Sequence, residues 1–358
     1  MPFDVPASAA RTRLAATADH RTVAIWLFVM CGMILVMVAL GGATRLTGSG
    51  LSIMEWAPIM GALPPTSDAE WQRLFALYEK IPQYSLVNAG FGIEGFKHIF
   101  WLEWTHRLWG RLMGVAFALP LIWFAVRRQL PKGLWLRLVG LFVLGGLQGA
   151  VGWFMVASGF EADSTAVSPY RLVAHLVLAL TLYSALLWTA LGVWRLGEGA
   201  VDAGPGWLRR LSTLLVVMVS LTIVAGGFVA GLKAGLIYNS FPLMDGHLVP
   251  DGYAALTPWL RNLTENIPAV QFDHRLMATL TAILALATAA IGLLSGTSRR
   301  IRPALLALAG VVCVQYVLGV STLLWVVPVG LATAHQATAV LLLTAALVLR
   351  HTLRPSSN

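Results

Sequence analysis

The chain has 358 residues, 58% of them hydrophobic and 11% charged, with a formal net charge of +9. A soluble domain carries about 25% charged residues, so a water-soluble fold is excluded and the chain belongs in lipid. Its positive charge is sorted by loop rather than gathered into a patch, which gives no nucleic-acid-binding surface.

Residues 1–22 read as a short tail. It lacks the apolar core and cleavage site of a secretory signal, and Asp4 and Asp19 argue against a cleaved organelle-targeting peptide. The run 23–43 is the first of eight long enough to cross a hydrocarbon core of ~30 Å as a helix of about 20 residues. The loop 44–103 follows, with Gly48-Ser49-Gly50 and Pro64-Pro65. Within it, Ser67 and Glu70 have capping-box spacing, and Trp71, Leu74, Phe75 and Tyr78 share one helical face. They predict a surface helix near 68–80 that lies on the bilayer or covers the bundle. Spans at 104–126, 137–157 and 171–194 complete a first half, 23–194. A linker, 195–209, leads to a second half, 210–350, with spans at 210–230, 272–294, 303–326 and 330–349. Loop 231–271 is rich in Gly, Pro and Asn, Pro328 marks the short last connection, and 351–358 form a tail. Cys31 and Cys313 both fall inside apolar runs and read as small core residues.

Basic residues set the orientation. The two tails and the loops near 127–137, 195–210 and 295–302 hold 15 of the 25 basic residues and 4 of the 16 acids. The other side holds 10 basic and 12 acidic residues. Both termini are therefore expected on the cytoplasmic side, and the even-numbered spans start on the outer side. That places His106, His175, His274 and His335 in the first turns of spans two, four, six and eight, at one depth near the outer face.

The halves repeat. Gly41-Gly42 with Gly50-Leu51 matches Gly226-Gly227 with Gly235-Leu236 at an offset of 185, and Gln148 and Gly152 match Gln315 and Gly319 at an offset of 167. Each half has an even number of spans, so both insert the same way, unlike inverted transporter repeats. The expected fold is an all-α integral membrane protein of eight transmembrane helices, built as two parallel-repeated four-helix bundles.

Ionisable residues at membrane depth signal function. Zinc would draw three or four close ligands, and no third ligand recurs beside either histidine pair. Two imidazoles facing each other across a four-helix bundle suit a flat macrocycle with iron bonded above and below. Gly110, Gly114, Ala174 and Ala179 in one half, and Ala278, Ala334 and Ala337 in the other, leave room for the ring. This gives two bis-histidine haem sites, His106 with His175 and His274 with His335. Arg107, Arg111, Arg275, Arg45, Arg171 and Lys233 are the cations available to haem propionates. Glu103 shares a helical face with His106, three residues on, whereas its counterpart is the neutral Gln271. The asymmetry suggests that one site does chemistry and the other stores or passes electrons. A di-haem electron-transfer cytochrome and a haem carrier are the rival readings.

Several stretches resemble the heme A synthase family: Thr44-Arg-Leu-Thr-Gly-Ser-Gly-Leu-Ser-Ile-Met-Glu-Trp56, Gly61-Ala-Leu-Pro-Pro65 and Glu103-Trp-Thr-His-Arg-Leu-Trp-Gly-Arg111. Asn239-Ser-Phe-Pro-Leu-Met-Asp-Gly246, Gln271-Phe-Asp-His-Arg-Leu-Met277 and Ala334-His-Gln336 extend the likeness, which runs from about residue 22 to 350. The long first loop is similar to the form in mitochondria and related bacteria.

The resemblance implies oxidation of the C8 methyl of haem O to a formyl group by two successive oxygenations, with O2 or water as oxygen source. It implies a resident haem b on His274 and His335, with Arg275 and Lys233 as further cofactor-binding residues. Substrate haem would lie between His106 and His175, served by Arg107, Arg111 and Arg45, with Glu103 as the essential acid. Implied partners are the haem O-producing farnesyltransferase and cytochrome oxidase assembly factors, in a bacterial or mitochondrial inner membrane. Some members carry a cysteine pair in an outer loop linked to redox input. This chain has no loop cysteine, so electrons take another route, with a quinol or a ferredoxin-like donor as candidates.

Overall fold

The structure, a computed structural model, describes residues 7–162, 164–196 and 203–355. Parts of the expected tails and linker (1–6, 197–202 and 356–358) lie outside the described residues. The described helices are α1 (Ala7–Leu46), α2 (Asp68–Tyr78), α3 (Pro82–Val87), α4 (Ile93–Val126), α5 (Leu134–Ala157), α6 (Pro169–Trp194), α7 (Gly206–Gly231), α8 (Asn262–Glu265), α9 (Ile267–Leu294), α10 (Arg302–Leu324) and α11 (Val329–Thr352). All but α2, α3 and α8 are long and apolar enough to cross a membrane.

Two boundaries depart from the sequence reading. The first helix already begins at Ala7, so most of the expected tail continues it. Helix α4 begins at Ile93, well before the apolar run at 104, and His106 therefore lies more than three turns inside it. Polar Glu94, Lys97 and His98 hide this extension from a hydropathy window. It is helical because Phe96, Ile99 and Phe100 recur on one face and are buried against α2, not lipid. The predicted surface helix forms as α2, with the Ser67 hydroxyl accepting from the Glu70 amide. Trp71, Leu74 and Tyr78 bury their faces with Leu51, Ile81 and the start of α4, so α2 covers the bundle.

The long helices pack as two rings of four. In one, α1 touches α4 and α6, and α5 touches α4 and α6. In the other, α7 touches α9 and α11, and α10 touches α9 and α11. The rings join where α1 meets α11 and α6 meets α7 and α11. Within each ring, α4 thus stands diagonally across from α6, and α9 from α11. These diagonals hold the four histidines. Outward faces carry large exposed apolar side chains such as Leu136, Leu119, Ile283 and Val317, as lipid contact requires. Cys31 is buried as expected, but Cys313 is exposed on α10 and is not a core residue.

A proline shows how α1 and α4 are fastened. Pro120 lies inside α4; it has no N–H to give the carbonyl four residues back, that of Ala116. The Trp26 indole on α1 donates to that oxygen instead, at 3.0 Å. Trp26→Phe should lower stability by about 1–3 kcal/mol, the cost of an unsatisfied buried acceptor. In a Pro120→Ala background the helix supplies its own donor, so the penalty should shrink. Unfolding in detergent across the double-mutant cycle measures the difference.

Candidate functional site

Each histidine lies against a glycine of the next helix in its ring. A Cβ built on Gly152 of α5 would stand 2.9 Å from Cε1 of His175; on Gly226 of α7, 2.9 Å from Cε1 of His274. On Gly319 of α10 it would stand 2.8 Å from Cε1 of His335, and on Gly41 of α1, 3.2 Å from Nε2 of His106. Gly41 pairs with Gly226 and Gly152 with Gly319 in the repeat, so each of the two seats occurs once in each half. These glycines admit the imidazoles. Gly114, expected to leave room for a macrocycle, has nothing within 4 Å of its Cβ position, and Gly110 meets only Met37, at 3.3 Å. Three rings present Cε1 to the glycine, and His106 alone presents Nε2.

The rings of each pair lie within electrostatic reach of one another. All four are only partly buried. Nδ1 of His274 lies 3.1 Å from the Thr222 carbonyl. As a donor there, it leaves Nε2 as the lone-pair nitrogen. Gln148 on α5 approaches both ring nitrogens of His175, at 3.2 and 3.3 Å, and donates to its carbonyl. Nδ1 of His335 is buried without a hydrogen-bond partner. Among the described residues no group of three or more His, Cys, Asp or Glu side chains converges. Each site therefore offers two imidazoles, a donor set that fits a group bringing its own equatorial ligands to iron.

Above each pair, the next helix clamps a loop. The 3-10 turns Ser49–Leu51 and Ala234–Leu236 are equivalent, and both follow a left-handed residue, Gly48 at φ 68° and Lys233 at φ 52°. Only glycine takes that conformation without strain. Glu103 is 2% exposed and accepts from Ser52 Oγ at 2.7 Å, the Ile53 amide at 2.8 Å, and Arg107. Arg107 also donates to the carbonyls of Ile53 and Glu55 and lies over Trp153. In the second half, Gln271 donates to the Ala234 and Ile237 carbonyls and accepts from Arg275 at 2.9 Å. Arg275 reaches the carbonyls of Tyr238 and Ser240, the repeat equivalents of Ile53 and Glu55. The frame is the same, but the polarity is inverted: a carboxylate faces loop donors in one half, and an amide faces loop acceptors in the other.

The remaining candidates are dispersed. Arg111 donates to the Ala57 and Pro58 carbonyls and keeps one buried nitrogen without a partner. Arg45 reaches across to the Ala230 carbonyl of the other half at 3.2 Å. Lys233 is exposed, and Arg171 pairs with Glu161 at 3.0 Å. Asp273 accepts from Tyr253 at 2.8 Å. His98 is exposed, and His247 lies on a loop 3.6 Å from Asp251. Glu55 is held by both terminal nitrogens of Arg73, whose hydrogen bonds pull its carboxyl below the usual range. Trp56 packs edge-on against Trp153.

Sequence reasoning missed Ser52 and Gln336. Gln336, next to His335, donates to the Val38 carbonyl of α1 at 2.9 Å, and a Cβ on Gly42 would stand 2.8 Å from its amide oxygen. Its repeat equivalent, Leu176 beside His175, packs on Gly227. The Gly-Gly pairs signalled both places, since the first glycine seats a histidine of its own ring and the second receives the neighbour of a histidine from the other ring.

Gly319→Ala should cost about 1–3 kcal/mol through overpacking against His335. Gly114→Ala, with open space around it, should be neutral or stabilising by about 0.4–1 kcal/mol. Thermal unfolding of the two variants in detergent makes the comparison.

Comparison with known proteins shows the family. A family described as cytochrome oxidase assembly protein matches residues 24–347. A heme A synthase from Granulibacter bethesdensis is 64% identical over 343 residues, covering 95% of this chain and 90% of that protein. One from Nitrosospira multiformis is 48% identical, covering 94% and 95%, and one from Caulobacter sp. is 48% identical, covering 91% and 94%. With its eight membrane-length helices and its duplicated histidine seats, the chain belongs to the cytochrome oxidase assembly family that contains the heme A synthases.

Proposed function

We propose that this protein is a membrane oxidoreductase that converts haem O to haem A, oxidising the C8 methyl to a formyl group in two steps for cytochrome oxidase biogenesis. The agreement with a heme A synthase along 343 residues carries this reading. The paired imidazoles on diagonal helices support it, because they suit porphyrin iron and no other common metal centre.

We assign substrate haem to His106 and His175 and a resident haem b to His274 and His335. Resident haem, when bound, supplies an iron that accepts and passes single electrons. His106 and His175 would hold the substrate haem, and His274 and His335 the resident one. Arg111 and Arg45 in the substrate half, and Lys233 in the other, are available to propionates. Arg107 and Arg275 act chiefly by holding the loops that roof the two sites. Taking the methyl to a formyl group with water as the oxygen source removes four electrons and four protons, which an electron acceptor and a base must take up. With O2 as the source, O2 is the oxidant and an external donor supplies four electrons over the two oxygenations. Glu103 lies three residues before His106 on α4, and the Ser52 hydroxyl, the Ile53 amide and Arg107 all donate to it. We therefore assign it charge stabilisation at the reacting edge, with proton acceptance as the second possible contribution.

The basic residues of the end remote from the histidines support a cytoplasmic position for that end and for both termini, in a bacterial inner membrane. The haem O-producing farnesyltransferase would supply substrate, and oxidase assembly factors would receive product.

Membranes containing the protein, supplied with haem O, should yield formyl haem on pigment extraction; unchanged haem O would favour a di-haem electron-transfer cytochrome. Glu103→Gln should reduce haem A formation on the order of 10²-fold, and a normal rate would refute its assigned role. His274→Ala should purify without the low-spin absorbance of resident haem while keeping its helical circular dichroism. Full retention of that absorbance would move the resident group elsewhere.

A further inference from the structure

The end of the bundle remote from the histidines has a built feature that haem chemistry does not use. From His20 onward, every acidic side chain that is described lies at the loop end, between Glu55 and Asp273 in sequence. At the opposite end the charged side chains that are described are all basic. There, an open groove of about 680 Å³ runs along the start of α7, walled by Trp207, Leu211 and Leu214 with Arg210 at its edge. It continues into a second hollow of about 390 Å³ bordered by Arg209, Arg210 and Arg350.

These cations are positioned rather than merely exposed. Nε of Arg350, near the end of α11, donates to Thr213 Oγ1 of α7 at 2.9 Å, which aims the guanidinium across the gap between the helices. Among the described residues, Nη1 of Arg350 and Nε of Arg209 are buried without a hydrogen-bond partner. Arg209 and Arg354 are close enough to Arg350 for their charges to repel. Like charges with unmet donors are unfavourable alone. An anion with several acceptor oxygens relieves both costs, and a phosphate accepts from neighbouring guanidiniums in that way.

The apolar wall narrows the choice of anion. Trp207 is 39% and Leu214 47% exposed, beside the arginines and facing the bilayer. A free phosphate has no use for them, whereas acyl chains do. Gly206 at the start of α7 and Thr352 at the end of α11 put the groove at headgroup level. We propose that this groove binds an anionic phospholipid of the adjacent leaflet, its phosphate held by Arg209, Arg210 and Arg350 and its chains lying along Trp207, Leu211 and Leu214.

The test uses the full chain purified in detergent, exposed to equal amounts of phosphatidylglycerol and phosphatidylcholine, with bound lipid counted by native mass spectrometry. Phosphatidylglycerol should be retained preferentially and should raise the melting temperature. Arg209→Gln with Arg210→Gln should weaken that retention roughly tenfold or more, while the Lys versions keep most of it. Arg127→Gln with Arg128→Gln removes the same charge outside the groove and should change little. Should the double Gln variant not purify, exposed Arg210→Gln alone gives the same comparison in smaller measure. Equal retention of the neutral lipid, equal loss in the Arg127/Arg128 control, or the same melting shift from inorganic phosphate alone would each overturn the proposal.

Discussion

An imidazole laid against a glycine on the neighbouring helix is the contact on which the rest of this structure depends. A polar ring inside an apolar bundle is costly unless neighbouring groups hold it and something uses it. Here the ring reaches its place only because the facing residue has no side chain. At Gly152, Gly226 and Gly319 a methyl group would come within 3.0 Å of the ring, closer than packed atoms tolerate. The helices that supply these seats, α1, α5, α7 and α10, carry none of the four histidines. Each ring of helices therefore alternates a helix that offers a ligand with a helix that receives one, which leaves the diagonal free for a flat group.

Duplication preserved this frame and changed its chemistry at a few positions. The turns after α1 and α7, the left-handed residues before them and the arginines that grip their carbonyls superpose in sequence at constant offsets. Against that background, Glu103 and Gln271 invert the polarity of one clamp. Gln336 and Leu176 likewise differ where the two halves touch: one crossing is hydrogen-bonded and the other is wholly apolar. His106 also stands apart by turning Nε2 toward its glycine. The first half is thus distinguished from the second by single side chains in an otherwise shared scaffold.

The two ends of the bundle solve different electrostatic problems. At the loop end, arginines of α4 and α9 are satisfied by backbone carbonyls, and an aromatic cluster of α2 and α4 covers the outer rim. At the opposite end, Arg209, Arg350 and Arg354 gather beside one another at the start of α7 and the end of α11. Charge on that side is arranged toward lipid, and on the loop side toward the protein's own backbone.

Local patterns in the sequence were sufficient for the eight spans, the α2 cap at Ser67 and the matched positions of the two halves. Those features depend on periodicity and composition within some twenty residues, or on repeats of the same chain. Three things were decided only in the folded molecule. Helix α4 starts early because Phe96 and Phe100 find α2, a partner that no hydropathy window contains. Glu103 holds Ser52 and the Ile53 amide because the loop folds back over α4, roughly fifty residues away in sequence. Gln336 bonds to the Val38 carbonyl because α11 and α1, at opposite ends of the chain, meet at the seam between the halves. Sequence by itself determines what each helix can offer; which neighbour receives it depends on contacts between distant segments, and those exist only once the two rings of helices have closed.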